Sequence, residues 1–395
     1  MNLLQNKKIA IIGAGPGGLT LALLLQKKGA DVSVFERDLN KDVRIQGTTL
    51  DLHFESGLKA IEAAGLMDAF KSNYRTDNDR TRMLDEHANI FFDDHNEVSV
   101  GNFGDEWFCP EIDRGSLRKI LLDALQPDTV IWNSHIVSLE NTDNTFQLMF
   151  GNGSTATADI VIGADGANSK IRPFVTPIKP FYSGVTILQG NIYNAEKVDP
   201  QINDLLKGGK IMVMGDSKTL TAKVDGNNKG DGSLDFGISW KEKENWVTNS
   251  GIDFKNGKQI LEWFKKEYAH WDPIWQALFE VENTNFIPRP QYCMPLDQYW
   301  EAQPNITLLG DAAHLMPPFA GEGVNMAMLD ALQLSDNLTG EKFTDLQAAI
   351  AHYEKEMFAR FAKIGKITLD NTEWMHSPEG LKRMLAIKNK NRGTE

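Results

Sequence analysis

Two glycine-rich turns, far apart in the chain, carry the residues best suited to chemistry. The first is Gly13-Ala14-Gly15-Pro16-Gly17-Gly18, set between an apolar run, Lys8 to Ile12, that reads as a buried strand and a helical run from Pro16 to Lys28 that Gly29 stops. Gly13, Gly15 and Gly18 satisfy the G-x-G-x-x-G spacing, in which glycine permits the tight turn, the approach of a pyrophosphate to bare backbone, and close helix–sheet contact. Asp31 to Glu36 follows as a second strand, and Glu36 at its end stands where a carboxylate accepts hydrogen bonds from ribose hydroxyls. The strand-turn-helix-strand-acid order implies dinucleotide binding. The second turn is Gly310-Asp311-Ala312-Ala313-His314, followed by Pro317-Pro318, Gly321-Glu322-Gly323 and Asn325. Asn305 to Leu309 reads as a short buried strand and Val324 to Leu338 as a helix, so Asp311 sits at a strand's carboxyl end with glycines opening the next helix. A carboxylate there can accept from sugar or polyol hydroxyls, and the helix N-terminus offers donors to a phosphate or an electron-rich ring edge.

Further polar residues stand at the ends of other elements. Ala158 to Gly163 is another buried strand, and Asp165-Gly166 ends it; Asp165 either caps the next turn or faces the same crevice as Gly13 and Asp311, while Ser169 reads as a helix cap. Ile112 to Arg118 introduces a helix through about Leu125 with Asp113 as its N-cap. Arg114 then stands in the first turn, where a cation does not suit the helix dipole, so it either holds an anionic or polar group or pairs with a surface acid. A polar stretch carrying Arg44, Gly47 and Asp51 precedes an amphipathic helix near Ser56 to Lys71.

These features divide the chain. From about Phe174 to Phe286, strand-like runs at Val185 to Ile192, Lys210 to Met214, Leu220 to Val224 and Leu234 to Trp240 alternate with Gly, Asn and Asp turns, as in an antiparallel sheet. The nucleotide-type features resume at Ile306 to Asp311, so this segment reads as an insertion. The expected division is a discontinuous dinucleotide-binding domain, 1–173 with 287–340, an inserted domain, 174–286, and a helical segment, 341–395. Trp240, Trp246, Trp263, Trp271 and Trp275 either pave an aromatic pocket or pack the core.

With 395 residues, 41% hydrophobic and 24% charged, the composition is that of a globular protein, and a net charge of -13 argues against a nucleic-acid partner. The basic stretch Lys382 to Arg392 reads as a solvated helix end. The 2 cysteines, Cys109 and Cys293, give no disulfide framework and no metal-ligand spacing, and are read as buried thiols in a reducing compartment. Lys7-Lys8 before an apolar run imitates a signal peptide, but glycines interrupt the run, and no apolar stretch reaches the roughly 20 residues that span a bilayer. A cytoplasmic monomer without membrane contact is expected.

The order Gly13-x-Gly15-x-x-Gly18, Asp165-Gly166, Gly310-Asp311 resembles the FAD-dependent aromatic hydroxylases of the para-hydroxybenzoate hydroxylase fold, over nearly the whole chain. Within that group it is most similar to the tetracycline-inactivating flavin monooxygenases, the TetX-like tetracycline destructases. Asp31-Val32-Ser33-Val34-Phe35-Glu36-Arg37-Asp38, Thr49-Leu50-Asp51-Leu52-His53, Phe236-Gly237-Ile238-Ser239 and the run from Gly310 to Gly321 carry that likeness. The resemblance implies an α/β fold: a Rossmann-like FAD-binding domain, an inserted antiparallel-sheet substrate domain and a C-terminal helix. It implies non-covalent FAD, NADPH as reductant, O2 as co-substrate, and a C4a-hydroperoxyflavin that hydroxylates a polycyclic aromatic or enolic substrate, with no protein-borne acid–base or metal apparatus. Glu36 would bind the adenosine ribose, Arg37, Asp51 and Arg114 would lie along FAD, Asp311 would hold the ribityl chain, and Arg44 would meet NADPH. Asp165, Pro318, Gly321, Gly323 and Asn325 complete the expected cofactor set, the glycine-rich backbone after Pro318 being placed to steady the peroxide. His314 is read as structural or flavin-lining.

In the tetracycline enzymes a glutamine, an arginine and a histidine of the inserted sheet contact the drug, and these fall on Gln189, Lys210 and Asp235; Phe319 joins them as a substrate contact. Lys210 keeps the charge but loses the planar fork, and Asp235 replaces an imidazole with a carboxylate. The substrate is therefore read as a tetracycline or another polycyclic phenol or enol. Alternatives are a flavin reductase or oxidase of the same fold, and a non-catalytic flavoprotein that sequesters a drug.

Overall fold

Short apolar runs such as Lys8–Ile12 and Ile160–Gly163 are buried almost throughout, which suits central strands covered by helices on both faces. In the computed structural model, which describes residues 3–43, 49–75, 80–95, 101–106, 108–142, 145–193, 198–225, 233–282 and 284–392, these strands belong to a 5-stranded sheet. Its order is Ile306–Leu308, Ile160–Gly163, Lys8–Ile12, Asp31–Phe35, Val130–Ile131, and every pair is parallel. Ile12 lies opposite Gly163 and Gly163 opposite Leu308, so the turns after three strands gather along one edge. That edge, outside the carboxyl ends of parallel strands, is where open α/β sheets bind ligands.

The Pro16–Lys27 helix is buried from Gly17 to Leu25 and packs against the Gly323–Thr339 helix. The element that opens on the first glycine motif thus lies against the element that closes the second.

A second sheet has 7 strands in the order Asn285–Cys293, Phe181–Ile192, Ser233–Lys241, Lys218–Asp225, Lys210–Gly215, Thr81–Leu84, Ile90–Asp93. It reaches beyond the segment 174–286. Thr81–Leu84 joins because it pairs parallel with Lys210–Val213, and Asn285–Cys293 because it pairs along Phe181–Ile192. One face, through Leu188, Leu220, Phe236 and Ile238, packs on helical elements carrying Phe264 and Trp275 and on Trp271 between them. All five tryptophans in question belong to this cluster, with Trp240 5.0 Å from both Trp246 and Trp263, so they pack the core and do not pave a pocket.

The Leu346–Met375 helix touches both sheets. Tyr353 donates to Leu308 O at 2.8 Å in the first, and His376, just past the helix end, lies 2.7 Å from Ser239 Oγ in the second. The Gly380–Arg392 helix follows, with Arg383 over the Trp374 ring and Lys388 over Phe92. Both cysteines are free; Cys293 is buried, whereas Cys109 is half-buried, not the fully buried thiol expected. Among the described residues no helix is long and apolar enough to cross a membrane, and no cluster of His, Cys, Asp or Glu is arranged to hold a metal.

Candidate functional site

At the first turn Gly13 takes φ 111°, and a Cβ there would fall 2.4 Å from Ala164 O, so both the backbone conformation and the space exclude a side chain. Gly18 presses against the turn from the helix side, its virtual Cβ 2.2 Å from Gly13 O. Gly15 faces open space, and as N-cap of the Pro16–Lys27 helix it brings no capping side chain and no acid in the first turn. The helix N-terminus is therefore left to whatever anion approaches it. Glu36 is buried and organises this turn: Oε2 accepts from Ala14 N at 2.7 Å and Oε1 from Asp38 N at 3.0 Å. Arg37 next to it is exposed, while Arg44 and Gly47 lie outside the described residues.

Asp165 takes the capping role with one oxygen and leaves the other open. Its Oδ2 accepts from Lys170 N at 2.6 Å, capping the turn, while Oδ1 is buried with no partner. A buried carboxylate oxygen without a donor is costly, and a cofactor hydroxyl would satisfy it. This orphan oxygen, the uncapped helix and the side-chain-free cradle at Gly13 together fit FAD. Ser169 Oγ accepts from Ile171 N and Arg172 N, as a cap does.

Asp311 is accessible to solvent although it lies deep in the molecule. Desolvation pushes its carboxyl above the ordinary range, against the charges of His314, Arg114 and Arg172. Arg114 thus lies within electrostatic reach of Asp311. Asp113, expected to cap its helix, makes no cap hydrogen bond; an ion pair with Arg75 Nε at 2.9 Å draws the carboxylate away. Arg172, unremarked in the sequence, is buried and donates to Ala312 O, Asp311 O and Ala167 O, tying the Asp165 turn to the Asp311 turn. His314 is structural: its Nε2 lies 2.5 Å from Asp330 Oδ2, and Asp330 also accepts from Gly310 N and Arg360.

The loop from Pro318 to Gly323 is held from behind by the long C-terminal helix. Thr368 donates to Pro317 O at 2.7 Å, Asn371 to Phe319 O at 2.9 Å, and the Phe319 ring meets His376 edge-on at 5.1 Å. Asn325 is fully buried; its Oδ1 accepts from His53 N and Gly57 N, and its Nδ2 donates to Asp51 O. Its side chain therefore scaffolds Asp51. The Asp51 carboxyl is lowered from the ordinary range: burial opposes this, and His53, with Lys210 farther off, outweighs it.

Three of the four expected substrate residues lie on the sheet face opposite the tryptophan core. Asn191, Asp235, Lys223 and Lys210 are successive cross-strand partners and form a row. Lys210 Nζ is 3.3 Å from Glu111 Oε1, and Lys223 donates to Glu111 Oε2 and Thr49 Oγ1. Burial would raise Glu111, but the two lysines hold it below its ordinary range. Asp235 is buried, accepts from Asn191 through one oxygen and leaves Oδ2 without a partner. Gln189 lies off the row and accepts from Arg289 Nε at 2.7 Å. Phe319 comes to this face from the other side, packing with Met212 and Met214. Sequence reading passed over Glu111, Lys223 and His53, because each acquires its role from a partner distant in the chain.

Comparison with known proteins gives the family and the fold. A family model described as FAD binding domain matches residues 6–363. The chain is 29% identical to the monooxygenase asqM of Emericella nidulans, covering 92% of this chain and 94% of that protein. It is 25% identical to the 6-hydroxynicotinate 3-monooxygenase of Pseudomonas fluorescens, over 95% of this chain and 93% of the relative. The crystal structure of the tetracycline destructase Tet(55) superposes with a TM-score of 0.76 at 21% identity, covering 98% of this chain and 95% of that one, which shows a shared fold. The chain belongs to the FAD-binding domain family, as an FAD-dependent monooxygenase of the aromatic-hydroxylase type.

Proposed function

We propose that the protein uses NADPH to reduce its FAD and then places one oxygen atom on an electron-rich ring bearing an ionised enol or phenol, with tetracyclines as the named candidates. The observation that carries this reading is Lys210. Its side chain is 36% exposed, it stands on the sheet face that Phe319 approaches, and its charge reaches Asp51 on the FAD side. A lysine offers a compact point charge suited to a single enolate oxygen, where a planar fork would favour a carboxylate. Relatives named for 6-hydroxynicotinate and for tetracycline support a substrate of this class.

When bound, FAD supplies oxygen activation, and the chain supplies binding and order. The Gly13–Gly18 turn and Asp165 would hold the dinucleotide, with Glu36 bracing the turn and Asp311 with Arg114 taking the polar chain beyond it. Lys210 would orient the enolate, and Phe319 with Met212 and Met214 would form the apolar wall that excludes water. Gln189 and Asp235 would flank this pocket, Asp235 offering an acceptor to an N–H or O–H of the substrate. Arg44 is proposed to meet NADPH.

The test is NADPH oxidation screened over tetracyclines and other phenolic polycycles, with products analysed under labelled oxygen. Substrate-stimulated oxidation with label in the product is expected. Stimulated oxidation that yields only unlabelled ligand and hydrogen peroxide would overturn hydroxylation in favour of an oxidase.

A further inference from the structure

The His53 cluster lies outside the substrate row and joins the strand that carries Asp51 to the glycine turn that carries Glu322. His53 follows the Leu50–Asp51 strand, and its ring lies between carboxylates from two distant segments: Nε2 is 3.1 Å from Asp51 Oδ2 and Nδ1 is 3.1 Å from Glu322 Oε1. A neutral imidazole has one N–H, so satisfying both carboxylates requires both nitrogens to be protonated. The hydrogen bonds to Asp51 and Glu322 push the ring's pKa up to about 10, against its burial. Asn325 fixes the backbone on each side, accepting from His53 N at 2.9 Å and donating to Asp51 O at 3.0 Å.

Glu322 belongs to the loop that Pro318 opens, and a Cβ on Gly321 would lie 3.6 Å from Asp51 Oδ2, so the loop backbone runs beside that carboxylate. Among the described residues, two other titratable groups act on the cluster. Lys210 reaches Asp51 from the sheet, and burial, aided by the charges of Asp51 and Glu322, pushes the Cys109 thiol up to about 11. Charges therefore alternate from Glu322 through His53 and Asp51 to Lys210, and on through Glu111 to Lys223. Without His53, Asp51 and Glu322 would face each other with no cation between them.

We propose that His53 is a positioning residue: its imidazolium staples the Gly321–Gly323 turn to the Leu50–Asp51 strand and sets the charge of the wall the flavin contacts. The proposal rests on the assignment of Asp51 and this loop to the FAD side. It calls for FAD-loaded His53→Gln and Glu322→Gln, singly and combined, with FAD affinity, the visible spectrum of the bound flavin and its midpoint potential as readouts. His53→Gln is expected to weaken FAD roughly tenfold and to shift spectrum and potential, and adding Glu322→Gln is expected to restore most of the loss, since one repelling carboxylate is gone. Unchanged affinity, spectrum and potential in His53→Gln would overturn the proposal. So would lowered thermal stability with an unaltered flavin spectrum and no rescue. Nitrogen NMR of the wild-type chain at pH 8, with and without FAD, reads His53 directly even if the variants fold poorly. Two protonated ring nitrogens are expected, and a neutral tautomer overturns the staple. Titrating the wild-type chain with FAD checks the cofactor assignment separately.

Discussion

The two halves of the site are built from different materials. The dinucleotide crevice is made mostly of backbone: a glycine that no side chain could replace at Gly13, a helix N-terminus without a cap at Gly15, and three parallel strands ending in register. The sheet face is made of side chains, in which Asn191, Asp235, Lys223 and Lys210 meet across strands and Glu111 arrives from elsewhere to pair with both lysines. Backbone sites depend on shape and tolerate almost no added atom. Side-chain sites depend on charge and can be retuned one residue at a time, which suits the face proposed to distinguish substrates.

The largest expected effect breaks the first half. Gly13→Val should abolish FAD retention, read as a colourless purified protein, because its Cβ has no space and φ 111° is hostile to a β-branched residue. Asp311→Ala should keep the fold and weaken FAD by about ten- to a hundredfold, measured by flavin release; unchanged flavin content would remove Asp311 from the site. Next comes the second half. Glu111→Gln leaves two buried or half-buried lysines without their shared carboxylate and should cost about 3 kcal/mol in chemical denaturation. Lys210→Met should raise KM about tenfold while leaving FAD content unaltered, and parallel losses of both would erase the division between the halves.

The last effect concerns pH and lies outside both halves. Burial raises the Glu354 carboxyl to about 7 in the folded chain, against Thr307, which donates to it at 2.7 Å. A raised folded value means that the native state binds more protons, so the stabilisation is complete below about pH 4.5 and is lost as pH rises through about 7. Glu354→Gln should flatten the stability difference between pH 5 and pH 8 by at most about 3 kcal/mol. Equal pH slopes in the two proteins would refute the assignment.

The same contrast explains what the sequence disclosed. The turn from Gly13 to Gly18 and the strand ends at Glu36 and Asp311 were legible as elements of the fold, because local spacing determines where strands stop and helices open. The paired roles of His53 with Glu322 and of Lys223 with Glu111 were not, since only the folded sheet and loop bring those residues together. Asp113 shows the same limit: a good capping residue by local rules, it was diverted by Arg75. The tryptophans were left open between pocket and core for a related reason: an aromatic residue's type does not say which neighbours it will meet, and only the folded sheet with its covering helices gathers all five into one core.

The long C-terminal helix also acts as a ruler. Tyr353 is fixed to Leu308 of the first sheet and Asn371 to Phe319 of the loop above the second, about 27 Å apart along the axis at about 1.5 Å per residue. Inserting a single residue between them would turn Asn371 and His376 by about 100° around the helix, away from their partners, while every strand kept its own pairing. Length variation should therefore be tolerated in this protein's surface loops and refused in this helix.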